Sequence, residues 1–353
     1  MKYNDITRRH FFQECGLGMG KIALASLLAT PNTWANTQST IVNPLAPRKP
    51  HFKAKAKRVI YLFMAGAPSQ LDLFDHKPVL KKFDGTAVPE SILKDQRYAF
   101  INHNSSMMAS PFKFKKYGES GAEISEMLPH LSKVVDDVAF IKSVYTDQFN
   151  HAPAQILMNS GSPRPGRPSM GSWVNYGLGR ENNDLPGFIV LPELSYPQGG
   201  ASNWSNGFLP SSFQATALRP KGSPLLDINP PQGVTRKQQR RNLDFLSKLN
   251  RRHAEQHPQH NELVARMKNY ELAFRMQMQV PDIVNIDDET NKIKEMYGVG
   301  KEPTDNFARR CLLARKLVEK GVRFVQLYAS TWDSHDYISR AHGSLIRSVD
   351  KPI

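Results

Sequence analysis

The side chains of this 353-residue chain best suited to chemistry are aspartates and histidines in three short segments. Ser330-Thr-Trp-Asp-Ser-His-Asp336 places Asp333, His335 and Asp336 within four residues. Asp72 and Asp75 follow Ser69, and His151 follows Asp147 and Asn150. Carboxylate oxygen and imidazole nitrogen are ligands for zinc or manganese, and oxygen ligands serve calcium. A separation of two lets Asp333 and His335 project from one side of an extended loop. Each residue alone has a plainer use: a surface Asp-x-His pair, an Asp72 that caps a turn, a His151 that opens a helix. Together they define the expected site, a divalent cation held by Asp333, His335 and one of Asp72 or His151, with all four side chains clustered. Such an ion would polarise an ester oxygen and lower the pKa of water. The sequence assigns no nucleophile.

A second arrangement concerns anions. Arg164 and Arg167 lie in a Gly/Pro-fixed loop ahead of a helix starting near Ser169, and both arginine forks and helix N-termini suit sulfate or phosphate. Packing against carbonyls is the plainer role for loop arginines. The formal charge is +15, with one local concentration at Arg236, Lys237, Arg240, Arg241, Lys248, Arg251 and Arg252. A charge run of this kind reads as a solvated helix face, and no zinc finger, basic zipper or aromatic RNA-binding motif accompanies it, so nucleic acid is not expected.

The elements that must position these residues follow from apolar patterning. Arg58 to Ala65, Val138 to Ile141, Phe188 to Leu191 and Val322 to Tyr328 are short apolar runs rich in strand formers, expected as buried, mostly parallel strands. Helices are expected over Ile124 to Val135, His151 to Asn159, Ser169 to Leu178, Asn306 to Lys320 and from His342 to Val349. Residues about 235–296 read as a polar helical cap, and residues 36–57 as a surface-wrapping arm. Alternating strands and helices imply an α/β, three-layer αβα sandwich, whose ligands lie beyond the carboxyl ends of the strands. The last apolar helix stops at Asp350-Lys-Pro-Ile353 without an evident cap, from which a missing C-terminal part is expected.

Residues 1–35 read as an address. Arg8-Arg9 precede Phe11-Phe12, a weakly apolar segment and the small-residue site Thr33-Trp34-Ala35, the order of a twin-arginine export signal. The export machinery is therefore an expected partner, and the mature protein is expected to be periplasmic or secreted. No stretch approaches the roughly 20 apolar residues of a membrane span. Removing the leader removes Cys15 and leaves Cys311 as the one cysteine, so no intramolecular disulfide can form.

The segments Lys55 to Asp75, Asn150-His-Ala-Pro-Ala154, Gly166 to Gly179 and Trp332-Asp-Ser-His335 together resemble the domain of unknown function 1501 family, often labelled sulfatase-like. The resemblance runs from about Phe52 to the last residue. It implies an alkaline-phosphatase-like fold, whose members are mostly metal-dependent hydrolases or transferases of phosphate and sulfate esters. The resulting expectation is an exported metal-dependent hydrolase-like protein acting on an anionic ester, including one on a polysaccharide. The alternative is a non-catalytic exported binding protein that keeps the fold without a nucleophile. Three departures separate this chain from that superfamily's pattern. Ala65-Gly66-Ala67 stands where a metal-binding carboxylate usually ends the first strand, and Asp147 stands where the nucleophile is usual, with Thr146 one residue off. Cys311-Leu-Leu-Ala-Arg315 misses the sulfatase cysteine pattern by one position and lies within an amphipathic helix.

Overall fold

In a computed structural model of the chain, the described residues are 45–94, 105–219, 225, 229–257, 261–335 and 337–353. The leader, residues 36–44 of the arm and Asp336 lie outside them. Residues Leu45–Ile353 form one compact unit. Its first strand, β1 (Val59–Met64), is followed by three single-turn helices, α1 (Gln70–Leu73), α2 (Leu80–Phe83) and α3 (Glu90–Leu93). A hairpin of β2 (Phe114–Tyr117) and β3 (Ala122–Ser125) comes next, then α4 (His151–Ser160), α5 (Met170–Leu178), β4 (Phe188–Leu191) and β5 (Thr216–Ala217). The chain ends with α6 (Arg236–Gln256), α7 (Asn261–Val284), α8 (Asn291–Tyr297), α9 (Asp305–Glu319), β6 (Phe324–Ala329) and α10 (Ile338–Val349).

The main sheet is four-stranded in the order β1-β6-β4-β5, and every pairing is parallel. Side chains alternate between its faces. Val325, Leu327 and Ala329 of β6 join Ile189, Leu191 and Leu62 on one face, packed with Phe307, Cys311, Ala314 and Leu317 of α9 and Ile346 of α10. Phe324 and Tyr328 join Phe188, Val190, Tyr61 and Phe63 on the other, against Trp204 and Val174 of α5. Helices therefore cover both faces, as a parallel sheet requires. All six residues of β6 are buried, and its large apolar side chains contribute on the order of 1.5–3 kcal/mol each.

The cap expected over residues 235–296 is a helical pair. No residue of α6 is buried, whereas Met276, Val280 and Ile283 of α7 reach the core. Arg240 clips the two helices together through Glu271 (2.8 Å) and bonds Asp244 one turn on, so part of the basic run serves as a solvated, paired face.

Three expected elements differ. Residues 124–135 are not a helix. Gly118 and Gly121, at φ 66° and 65°, turn the β2–β3 hairpin, and the Asp136 carboxylate accepts the Glu119 and Ser120 amides at 2.9 Å. Those bonds with the Ser120 and Glu119 backbone hold the exposed Asp136 carboxyl below its ordinary range. Residues 138–141 are not a strand. The segment pairs with nothing in the sheet; Phe140 turns inward against Phe74 while Ile141 is 75% exposed. A four-residue apolar run carries no register information, and one inward side chain satisfies it. Finally, α10 begins four residues before His342, and its end is tied down by Asp350, whose buried carboxylate accepts the His130 and Leu131 amides at 2.9 and 3.0 Å.

Candidate functional site

The end of β6 is held by its neighbours before any site residue is reached. Glu193, just beyond β4, accepts the Ser330 amide at 2.6 Å and pairs with Arg310 of α9 at 3.1 Å. Ser330 Oγ donates to the Ser195 carbonyl (2.8 Å), and the Trp332 amide donates to the Ala65 carbonyl (3.1 Å) at the end of β1. Trp332 is buried in the core beside His342. Between these anchors Thr331 sits at φ 70°, a strained setting for a β-branched residue. Gly66, at φ 104°, gives room for this loop: a Cβ there would lie 2.6 Å from the Asp333 nitrogen. The Ala65-Gly66-Ala67 turn thus admits the backbone of the loop that carries Asp333.

His151 arrives from the other side, as the first residue of α4. Asn150 caps that helix through its side-chain oxygen, Pro153 fits its first turn, and Gly161 closes it in the left-handed conformation. A buried polar chain joins α4 to β6. Gln326 donates to Asn159 Oδ1 and to the Tyr328 hydroxyl, both at 2.7 Å, and Asn159 donates to Asn203 at 3.2 Å. Neither Gln326 nor Asn159 nor Glu193 was singled out in the sequence; an isolated polar residue inside a buried strand, as at 326, is the one signal that points to such a network.

The result is a tight trio. His151 Nε2 lies 2.8 Å and His335 Nε2 2.9 Å from the same Asp333 oxygen. Partial burial raises the Asp333 carboxyl, but the His335 and His151 hydrogen bonds and charges outweigh it and hold the group below its ordinary range. His151 and Asp333 line a cleft of about 180 Å³ together with Gly66, Gln155, Tyr196 and Ser330 among others. Gln155, one turn after His151, is buried, and its side-chain oxygen has no hydrogen-bond partner among the described residues.

Three of the four expected ligands are therefore brought together, and Asp72 has other partners. Its buried carboxylate accepts from Ser69 Oγ at 2.6 Å. The Ser69 amide donates to His342 Nε2 at 2.8 Å, so Nδ1 carries the ring proton and donates to Ser334 Oγ, also at 2.8 Å. With its one lone-pair nitrogen occupied by the Ser69 amide, His342 cannot take a proton from Ser334, and the pair is not a base-activated nucleophile. Burial holds the His342 imidazole below its ordinary value, and the Asp72 charge only partly offsets this.

The remaining expectations fall elsewhere. Arg164 and Arg167 are exposed and do not contact the trio; Gly207 packs against the backbone beside Arg167. Among the described residues, Thr146 and Asp147 bond to Gln148, in an exposed loop. Cys311 is buried in α9, its thiol pushed up to about 12 by burial, which removes it as a reactive group.

Across residues 56–353 the chain matches the model of the family described as protein of unknown function, DUF1501. The chain belongs to that family. The match includes every residue of the trio and of the loops that hold it. No curated protein and no solved structure gives a significant match. No helix among the described residues is long and apolar enough to cross a membrane.

Proposed function

We propose that this DUF1501 protein is an exported, metal-dependent hydrolase-like protein acting on a sulfate or phosphate ester, on an alkaline-phosphatase-like scaffold. The observation that carries the reading is the convergence of His151, Asp333 and His335 on one point beside a cleft at the carboxyl edge of a parallel sheet, where ligands of such sheets bind.

The donor set is two imidazoles and one carboxylate, the complement of many zinc and manganese centres with an open position. Calcium, which takes oxygen ligands, suits it less well. As they stand the three groups are hydrogen-bonded to one another, and no group of three or more His, Cys, Asp or Glu among the described residues forms a ready metal cage. Ligands about 2.05 Å from a tetrahedral ion lie about 3.3 Å apart, so the nitrogen–oxygen separations of 2.8 and 2.9 Å need to open by a few tenths of an ångström. The half-exposed histidine side chains can supply that by small rotations. A bound divalent ion supplies polarisation of an ester oxygen and acidification of water. Asp333 keeps both imidazoles oriented, and Gln155 lines the cleft beside them.

The leader supports export: replacing Arg8 and Arg9 by lysine should retain the precursor in the cytoplasm, and a processed double variant outside it would remove this part of the reading. The activity is tested by hydrolysis of 4-nitrophenyl phosphate and 4-nitrophenyl sulfate with zinc, manganese or calcium added to chelator-treated protein. Turnover should require metal and fall by about 100-fold or more in Asp333→Ala. The second reading, a non-catalytic binding protein, is favoured by the engagement of Thr146 and Asp147 with Gln148 rather than with the trio among the described residues; metal binding without any ester hydrolysis would support it instead.

A further inference from the structure

A buried charge without a paired counter-charge among the described residues lies at the opposite end of the sheet from the trio. Arg180, which follows α5, is 6% exposed, yet its Nε has no hydrogen-bond partner and no carboxylate pairs with it among the described residues. Burial pulls its guanidinium below the ordinary value, the neighbouring Arg275 charge adds to this, and Asp184 opposes it. Asp184 is itself engaged with Arg275 at 3.9 Å. Close by, the buried ammonium of Lys268 on α7 also lacks a hydrogen-bond partner among the described residues, and burial followed by the Arg180 charge pulls it down too. An arginine keeps its charge under such pressure, and a buried unpaired charge is among the costlier features a fold can retain.

Arg180 faces a cavity of about 600 Å³ between α7 and the starts of β4 and β5, within the size range of small-molecule sites. Its wall is polar where the charge is. Asn175 and Ser212 line it with a buried amide oxygen and a buried hydroxyl, neither of which has a partner among the described residues, and Ser211, Gln214 and Asn269 add further polar groups. Gly187 brings the β4 backbone so close to Asn175 and Arg180 that a Cβ there would lie 2.1 Å from the Asn175 oxygen, so both side chains are held at the cavity wall.

We infer that this cavity is a binding site for a small anion that also carries hydroxyl groups, such as a phosphorylated or carboxylated sugar. The anionic group would sit on Arg180, with Lys268 adding to the field, and hydroxyl groups would meet the polar side chains of Ser211, Gln214 and Asn269 along the wall. The charge supplied by the ligand completes an ion pair that the protein leaves open, and arginine's planar fork matches phosphate and carboxylate alike. This site does not depend on the metal reading, since its residues share nothing with the trio.

The test is calorimetric titration of the full chain, stripped of metal by chelation and dialysis so that the trio cannot contribute. The probes are glucose 6-phosphate, glucuronate, inorganic phosphate and glucose. Glucose 6-phosphate or glucuronate should bind, inorganic phosphate more weakly, and glucose not at all. Arg180→Met should weaken binding roughly ten- to hundred-fold, while Asp333→Ala should leave it unchanged. Because Arg180→Met removes an uncompensated buried charge, it should also raise the melting temperature of the ligand-free protein, which a merely structural arginine would not do. Absence of binding by all three anions, or undiminished binding by Arg180→Met, would overturn the proposal. Equal affinity for inorganic phosphate and glucose 6-phosphate would overturn the hydroxyl component.

Discussion

Asp333, with its two imidazoles, is followed directly by Ser334, one end of a quite different, part-buried Ser69–Asp72–His342–Ser334 group, and the two groups behave oppositely. The trio is half exposed and open to a ligand; His342 is buried and held neutral. Its depressed folded value against an unfolded value near 6.5 fixes the sign of a stability effect. Between those two values the unfolded chain binds more protons, so this contribution is complete above about pH 6.5 and is lost as pH falls. His342→Gln should therefore be less stable than the parent at neutral pH but lose less stability on acidification, measured by urea unfolding at several pH values. Equal slopes in the two proteins would contradict the assignment. The pairing of Asp333 with His335 was legible because their separation of two is short and local. The engagement of Asp72 with Ser69 beside His342 was not legible, because His342 is supplied by a helix far along the chain, which no spacing near residue 72 reveals.

At the level of elements, β1, β4, β6, α4, α5 and α9 were readable from apolar periodicity and glycine stops, since burial on one or two faces leaves that imprint. The β2–β3 hairpin was not, because Gly118, Gly121 and the Asp136 carboxylate fix it through backbone conformation and hydrogen bonds that the apolar pattern around Ile124 conceals. The glycine between β1 and the Asp333 loop is the element-scale counterpart. Gly66→Ala combines an unfavourable positive φ with a Cβ 2.6 Å from the Asp333 nitrogen. We expect a loss of about 2 kcal/mol or more in unfolding free energy. The same substitution should displace Asp333 and weaken any ligand of the trio. A variant as stable as the parent would show that the loop does not need that close approach.

The whole molecule places two different polar centres at the two ends of one parallel sheet: His151, Asp333 and His335 at the carboxyl end, and Arg180 beneath the helical cap at the starts of β4 and β5. The first was visible in sequence as Asp and His residues after apolar runs. The second was not, because Arg180 and Lys268 are ordinary basic residues in a basic chain until folding buries them without partners. Sites so separated should respond independently to mutation. If the trio is a divalent-metal site, as proposed, calorimetric titration of zinc or manganese into the chelator-treated 353-residue chain will show it. The expected result is saturable binding of a single equivalent, weakened by more than about 100-fold in Asp333→Ala and in His151→Ala with the melting temperature little changed. Failure to bind either metal, or binding that survives both substitutions, would contradict it.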